Sequence, residues 1–350
     1  MAVPKELSHW IFAEAVAEHI KSADIKKAIK TFKAYYYLGS VAYDSPFYTY
    51  LVRNAKTLTQ AGLRIHGVFG GDTLEIQRAF FRSYQNTGSK IPLQGISFIS
   101  GTLTHLCADI NFHPLVNYFS GRYADSEKKS RLLSQRRHRQ FESLLDFYFC
   151  TKRNDSAFHV TSRRSCKRVG ALHQFLAAME REQDQVIDIL NRFYFGKSQD
   201  KTTGVWELVR RHSQLQRLFS NGTVGSLVRW LGAIAGGGLR VISATFYPVA
   251  ILKNVARNPD AALALFSRRI QYRHPNSGVK LSHSVDELAK KTVDDAAALI
   301  DSFGGDYQER DLFSGIKGKS LEYGCDADEF PTPKHFDLSK PVPALCRDGL

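Results

Sequence analysis

The sequence predicts an all-α protein, and three observations carry that reading. Apolar residues recur at three- and four-residue spacing over stretches of ten residues or more, the period of an amphipathic helix, whereas regular short alternation is missing. Clusters of Gly, Pro, Asp and Ser separate these stretches, as chain punctuation does. A hydrophobic content of 43%, with 23 Phe, 15 Tyr and 3 Trp, supplies a packed core and excludes a disordered chain.

The elements follow in order. Ser8 is placed to cap a first helix running to about Ile20, with Trp10, Ile11, Ala15, Val16 and Ile20 as its apolar stripe. A second helix spans Ala23 to Tyr37 and stops at Gly39. Residues 39–48 (GSVAYDSPFY) and the glycine-rich stretch from Ala61 to Thr73 read as connections. Thr73 to Tyr84 reads as a helix, and Asn86 to Pro92 as a turn. Gly95 to Asn117 is a long apolar helix with Pro114 inside it or at its end. Ser126 to Phe149 and Thr161 to Phe195 are further helices. A boundary falls at Gly196 to Gly204, dividing residues 1–195 from a C-terminal extension at 196–350. Within that extension, Val224 to Leu252 is apolar and glycine-broken. It reads as a buried helical hairpin or as a segment lying at a bilayer surface; Arg229 and Arg240 argue against a span. A polar stretch (276–284), a helix from Val285 to Phe303 and an extended tail complete the chain.

Charge and cysteine content bound the setting. The net charge of +14 implies attraction to polyanions, either nucleic acid or an anionic membrane surface. Twelve Lys or Arg against three acids fall between Lys128 and Arg168, and Arg136 to Arg139 are candidates for holding a substrate phosphate. The five Cys are odd in number and include no C-x-x-C pair, against both a disulfide framework and a thiolate zinc finger. The first twenty residues show no uninterrupted apolar run, so no signal peptide is expected. The expected location is the cytoplasm, with peripheral contact at a membrane.

The chemistry is concentrated in two pieces. In T-H-L-C-A-D-I-N-F-H-P, residues His105, Asp109 and His113 are four apart, so they lie about 40° apart in azimuth along one face of an apolar helix. His105 and Asp109 can reach one zinc, or Asp109 can bridge two through its two oxygens. Pro114 disfavours α geometry at His113, which places that ligand at a helix end. In H-R-Q-F-E-S-L-L-D, His138, Glu142 and Asp146 repeat the spacing. Two facing helices of this kind build imidazole and carboxylate metal sites in bundles. His9, Asp44, His66 and Asp72 are isolated candidates, the last two in the same glycine-rich connection.

The order His9, Asp44 in a G-x-x-A-x-D loop, His66, then H-x-x-x-D with a following H-P, then H-x-x-x-E resembles the zinc-dependent phospholipase C family. The resemblance covers roughly Ser8 to Phe149, and the opening S-H-W-I is similar to intracellular bacterial members. It implies a multi-helix bundle of the phospholipase C and zinc nuclease type with up to three zincs. Asp44, His66, His105 and Asp109 would hold one zinc. His113, His138 and Glu142 would hold a second. His9 and a bridging Asp109 would hold a third, which in secreted members also takes the amino group of an N-terminal Trp. Here eight residues precede His9 and Trp10 follows it, so that group is replaced or missing. The expected activity is hydrolysis of a phospholipid phosphodiester by metal-activated water, with Asp44 a ligand first and a proton acceptor second. A zinc nuclease or nucleotide phosphodiesterase, and a non-catalytic metal-binding helical protein, are the competing expectations.

Overall fold

The computed structural model describes residues 6–48, 55–86, 90–152, 185–195, 204–219, 222–235, 268–302, 317–326 and 329–339. They form an α-helical fold: α1 (Glu6–His19), α2 (Ala23–Thr31), α3 (Lys33–Ala42), a 3-10 turn (Ser45–Tyr48), α4 (Ala55–Ile65), α5 (Glu75–Gln85), α6 (Leu93–Ser120) and α7 (Lys128–Lys152). After these come α8 (Gln185–Phe195), α9 (Val205–Phe219), α10 (Gly222–Ala235) and α11 (Val285–Ser302). A two-stranded antiparallel hairpin, β1 (Ile270–Arg273) with β2 (Lys280–His283), precedes α11; Ile270 faces His283. The all-α expectation holds, and the polar stretch at 276–284 is the turn and second strand of this hairpin. Among the described residues no helix is long and apolar enough to cross a membrane.

The centre of the molecule is α6. From Gly95 to Ser120 every residue except Ile110 and Tyr118 is buried, so the helix has no solvent face and no amphipathic pattern. Around it pack α1, α2, α3, α7 and α11. One hydrophobic core runs from Leu7 and Trp10 through Phe98 and Leu115 to Leu288 and Ile300. Helix α11 therefore shares the core of α1 and α6. It is also tied to the connection between α1 and α2 through Asp301, which accepts from the backbone N–H groups of Lys21 and Ser22 at 2.9 and 3.0 Å.

Helices α3 and α6 approach each other closely. A Cβ built on Gly39 would land on the carbonyl oxygen of Phe98, and one on Gly101 would land on that of Tyr36. Backbone cannot retreat as a side chain can, so glycine is required on both helices. This contact places the C-terminal end of α3 beside the polar ladder of α6.

Several boundaries differ from the sequence expectation. Helix α1 is described from Glu6, and Ser8 lies inside it. The Ser8 hydroxyl bonds to Asp146 on α7 rather than capping the helix. The second predicted helix is two: Phe32, at φ −118° and ψ 47°, breaks it without a Gly or Pro. Its carbonyl accepts from Ser97 Oγ at 2.8 Å, so a tertiary contact stabilises the break. Helix α3 then runs past Gly39 to Ala42, and α4 extends to Ile65. Pro114 lies within α6, which continues to Ser120 through His113. The tail is non-helical at 317–326 but is not loosely extended: Ser320, Leu321, Glu322 and Tyr323 are buried. Residues 161–184, 196–203 and 236–252 lie outside the described residues, so the second limb of the predicted hairpin and the predicted boundary fall there.

Candidate metal centre

Four segments converge on the polar face of α6. His105, Asp109 and His113 follow one another at four-residue intervals, and Asn117 continues the ladder one turn further. Asp44 comes from the turn between α3 and the 3-10 turn, His66 from the end of α4, His138 and Glu142 from α7, and His9 from α1. All eight residues the sequence singled out as ligands are buried.

Two groups form. The ligand atoms of Asp44, His66, His105 and Asp109 all lie within 4.8 Å of one another, and so do those of His113, His138 and Glu142. In the first, His66 Nε2 is 3.2 Å from Asp44 Oδ1 and His105 Nε2 is 3.1 Å from Asp109 Oδ2. In the second, Glu142 Oε1 is 3.0 Å from His138 Nε2 and 3.6 Å from His113 Nε2. Ligand atoms on a tetrahedral zinc with bonds near 2.1 Å sit about 3.4 Å apart, so both groups are near a ligand cage in size. Asp109 links them: its Oδ1 is 3.7 Å from His113 Nε2, while Oδ2 faces His105. His9 belongs to neither group. Its ring stacks on His105 at 4.3 Å between centroids, and its Nε2 lies 3.5 Å from Asp109 Oδ1.

The rings are oriented by bonds to their other nitrogen. Nδ1 of His66 meets the Gly62 carbonyl at 2.7 Å, Nδ1 of His105 the Ser40 carbonyl at 2.9 Å, and Nδ1 of His113 the Leu321 carbonyl at 2.8 Å. A carbonyl only accepts, so each Nδ1 carries a hydrogen, and Nε2, the atom facing the cluster, is the one whose lone pair a cation would take. Nδ1 of His138 meets Asn117 Oδ1 at 3.1 Å, to the same effect.

What remains unpaired points to a cation. Among the described residues, Nε2 of His105, Oδ2 of Asp44, Oδ2 of Asp109 and Nδ1 of His9 are buried without hydrogen-bond partners. Burying such atoms without compensation costs about 1–3 kcal/mol each, more for charged groups. A divalent cation supplies the missing compensation for the two carboxylates and the imidazole together. The donor set, imidazole nitrogens and carboxylate oxygens, is that of zinc.

Titration follows the same geometry. Burial drives His9 down to about 3, with the charge of His105 adding to it, and burial lowers His66. Burial also works against the charge of Asp109, but His105 and His113 outweigh it and hold that carboxyl well below its usual range. Burial opposes the charge on His113 too, yet Asp109, Glu142 and Glu322 push its pKa up to about 10. Asp44 is raised, chiefly by burial.

Other candidates turn out to have different duties. Asp72 accepts from the backbone N–H groups of Leu74 and Gly318 and from Arg78, and takes no part in the cluster. Asp146 accepts from Ser8 N and Oγ at 2.8 and 2.6 Å, which anchors the turn of α1 that presents His9. Arg137 donates to the carbonyls of Phe119 and Leu338, and Arg139 is fully buried. The sequence reading missed Asn117, although the four-residue ladder reaches it. It also missed Leu321 and Glu322, for which sequence spacing holds no signal.

The cluster opens into a cleft where His9, Asp109, His113 and Glu142 meet an aromatic wall of Phe12, Phe112 and Phe149. A second cavity, of about 300 Å³, is lined by Phe47, Leu63, Tyr123, Arg131 and Gln135. Phe47 packs on His66, and Tyr123 on His138.

Comparison with known proteins adds one finding. A family model described as zinc dependent phospholipase C matches residues 8–193, a span that contains all eight candidate ligands and ends before the tail. No curated protein and no solved structure matches the chain.

Proposed function

Because the chain belongs to the zinc-dependent phospholipase C family, we propose that it hydrolyses a phospholipid phosphodiester at the cluster along α6. The observation that carries this reading is the pair of buried ligand groups linked through Asp109, with orphaned carboxylate oxygens and an imidazole nitrogen in the first of them. Asp44, His66, His105 and Asp109 hold one zinc in this proposal, and His113, His138 and Glu142 a second. His9 with Asp109 forms the third site, with two protein ligands. Zinc bound there supplies a Lewis acid for the phosphate oxygens and lowers the pKa of water. The chain's own residues do the rest. The Nδ1 bonds hold each imidazole in its ligand tautomer. Asp44 acts as a ligand, since a carboxylate engaged by a cation is a weak base. Phe12, Phe112 and Phe149 exclude water from that side of the cluster.

Contact with an anionic membrane is part of the proposal. The net charge of +14 favours it. Helix α10 also exposes Leu227, Trp230, Leu231 and Ile234, spaced along one helical face. The same charge would suit a nucleic acid, which makes a zinc nuclease the second reading. The deciding experiment offers zinc-loaded protein a short-chain phosphatidylcholine and, separately, single-stranded DNA. Diacylglycerol and phosphocholine are the expected products; cleavage of DNA alone supports the second reading, and no hydrolysis of either overturns both.

A further inference from the structure

The segment Ser320–Tyr323 lies beyond the family match, yet it is buried against both ligand groups. Leu321 faces two ways: its carbonyl accepts from His113 Nδ1 at 2.8 Å, and its N–H donates to the His66 carbonyl at 2.9 Å. Asn117, which orients His138, also donates from Nδ2 to the Glu322 carbonyl. The chain thus pins this segment from three sides, and Glu322 is fixed with it.

The side chain of Glu322 is the unusual feature. The residue is 5% exposed, and its Oε1 has no hydrogen-bond partner among the described residues. Its charge acts on both His113 and His66, in each case against the effect of burial. It is not a member of either ligand group. A buried carboxylate oxygen left without a partner calls for a hydrogen-bond donor, and the bonds of Leu321 and Asn117 hold Glu322 beside the cluster. The group of His113, His138 and Glu142 would give a zinc ion three protein ligands, the number found in catalytic sites that also bind water.

Resting on the phosphodiesterase reading, we propose that Glu322 is a catalytic residue supplied by the C-terminal segment: its Oε1 accepts a hydrogen bond from the attacking water and holds it beside the phosphate. In the reaction the water oxygen forms a bond to phosphorus and the bond from phosphorus to the alcohol oxygen breaks. The proton that water gives up ends on the departing alcohol, so Glu322 emerges unchanged.

The test uses Glu322→Gln in the zinc-loaded full chain, with three readouts. Zinc content by elemental mass spectrometry is expected to equal wild type. The kcat for a short-chain phosphatidylcholine is expected to fall about 100-fold with KM within about twofold. Inorganic phosphate, followed by calorimetry, is expected to bind about tenfold tighter because a neutral amide no longer repels the anion. Unchanged kcat together with unchanged phosphate affinity overturns the inference, and so does loss of zinc, which would make Glu322 a ligand. Should Glu322→Gln fail to fold, Glu322→Asp decides: reduced kcat at full zinc content supports the proposal, and wild-type kcat overturns it. Zinc-loaded wild type that hydrolyses no phosphodiester sinks the phosphodiesterase reading instead, and the phosphate measurement still reports where Glu322 sits.

Discussion

His105 is the residue on which the cluster turns. It is fully buried, stacks on His9 and Tyr43, donates from Nδ1 to Ser40 and faces Asp109 and Asp44 with Nε2. Replacing His105 with Ala is expected to remove bound zinc and phosphodiesterase activity together; full zinc retention in the variant would contradict its ligand role. Asn117 tests the surrounding shell. Asn117→Ala should weaken zinc binding about 10- to 100-fold, measured by chelator competition, because His138 loses the partner that fixes its tautomer. Protons report on the same site. In the metal-free chain His113, with its pKa near 10, carries a proton at neutral pH. Zinc needs the Nε2 lone pair, so uptake must expel that proton, and affinity must fall as pH falls. Calorimetry in buffers of different ionisation enthalpy should show net proton release at pH 7. At this scale the sequence was most informative: the four-residue spacing on an apolar helix marked His105, Asp109 and His113, and the facing H-x-x-x-E marked its partner. It was silent about Glu322, because a single acid 180 residues beyond Glu142 has no spacing to reveal it.

Elements set the geometry that residues use. Helix α6 was legible as a long apolar helix, since a run this apolar and this long has no other place than a core. Its passage through Pro114 was not. The helix keeps its path because packing on every side outweighs one lost backbone bond. The break at Phe32 was likewise hidden, lacking any glycine or proline, and is supported by Ser97 across the interface. That break lets α3 approach α6 through Gly39 and Gly101, which delivers the Ser40 carbonyl and Asp44 to His105. Gly101→Ala should therefore destabilise the fold by about 1–3 kcal/mol or more and reduce zinc content, since the added methyl meets backbone. Denaturant unfolding reads the first effect and metal analysis the second. A variant as stable as wild type would show that the helices can part at little cost.

Over the whole molecule, the ligands come from five segments far apart in the chain, so metal binding and folding are coupled. Zinc held at the two ligand groups, and beside them at His9, would join residues of α1, α6 and α7 with those that follow α3 and α4. A chelator should lower the melting temperature by roughly 5 °C or more, since occupancy far above Kd contributes about 4 kcal/mol to the folded state. The C-terminal tail adds a sixth segment through Leu321, which explains why sequence reading of the first half alone left the site open on that side. An isolated tail of Gly, Asp, Lys and Pro carries no periodicity, and only the fold brings it to α6. The most direct measurement is the metal content of untagged, dialysed protein that has never met a chelator, by elemental mass spectrometry. Two or three zincs per chain are expected, two if His9 and Asp109 alone do not retain an ion. Protein with no transition metal would contradict the metal centre, and with it the proposed hydrolysis.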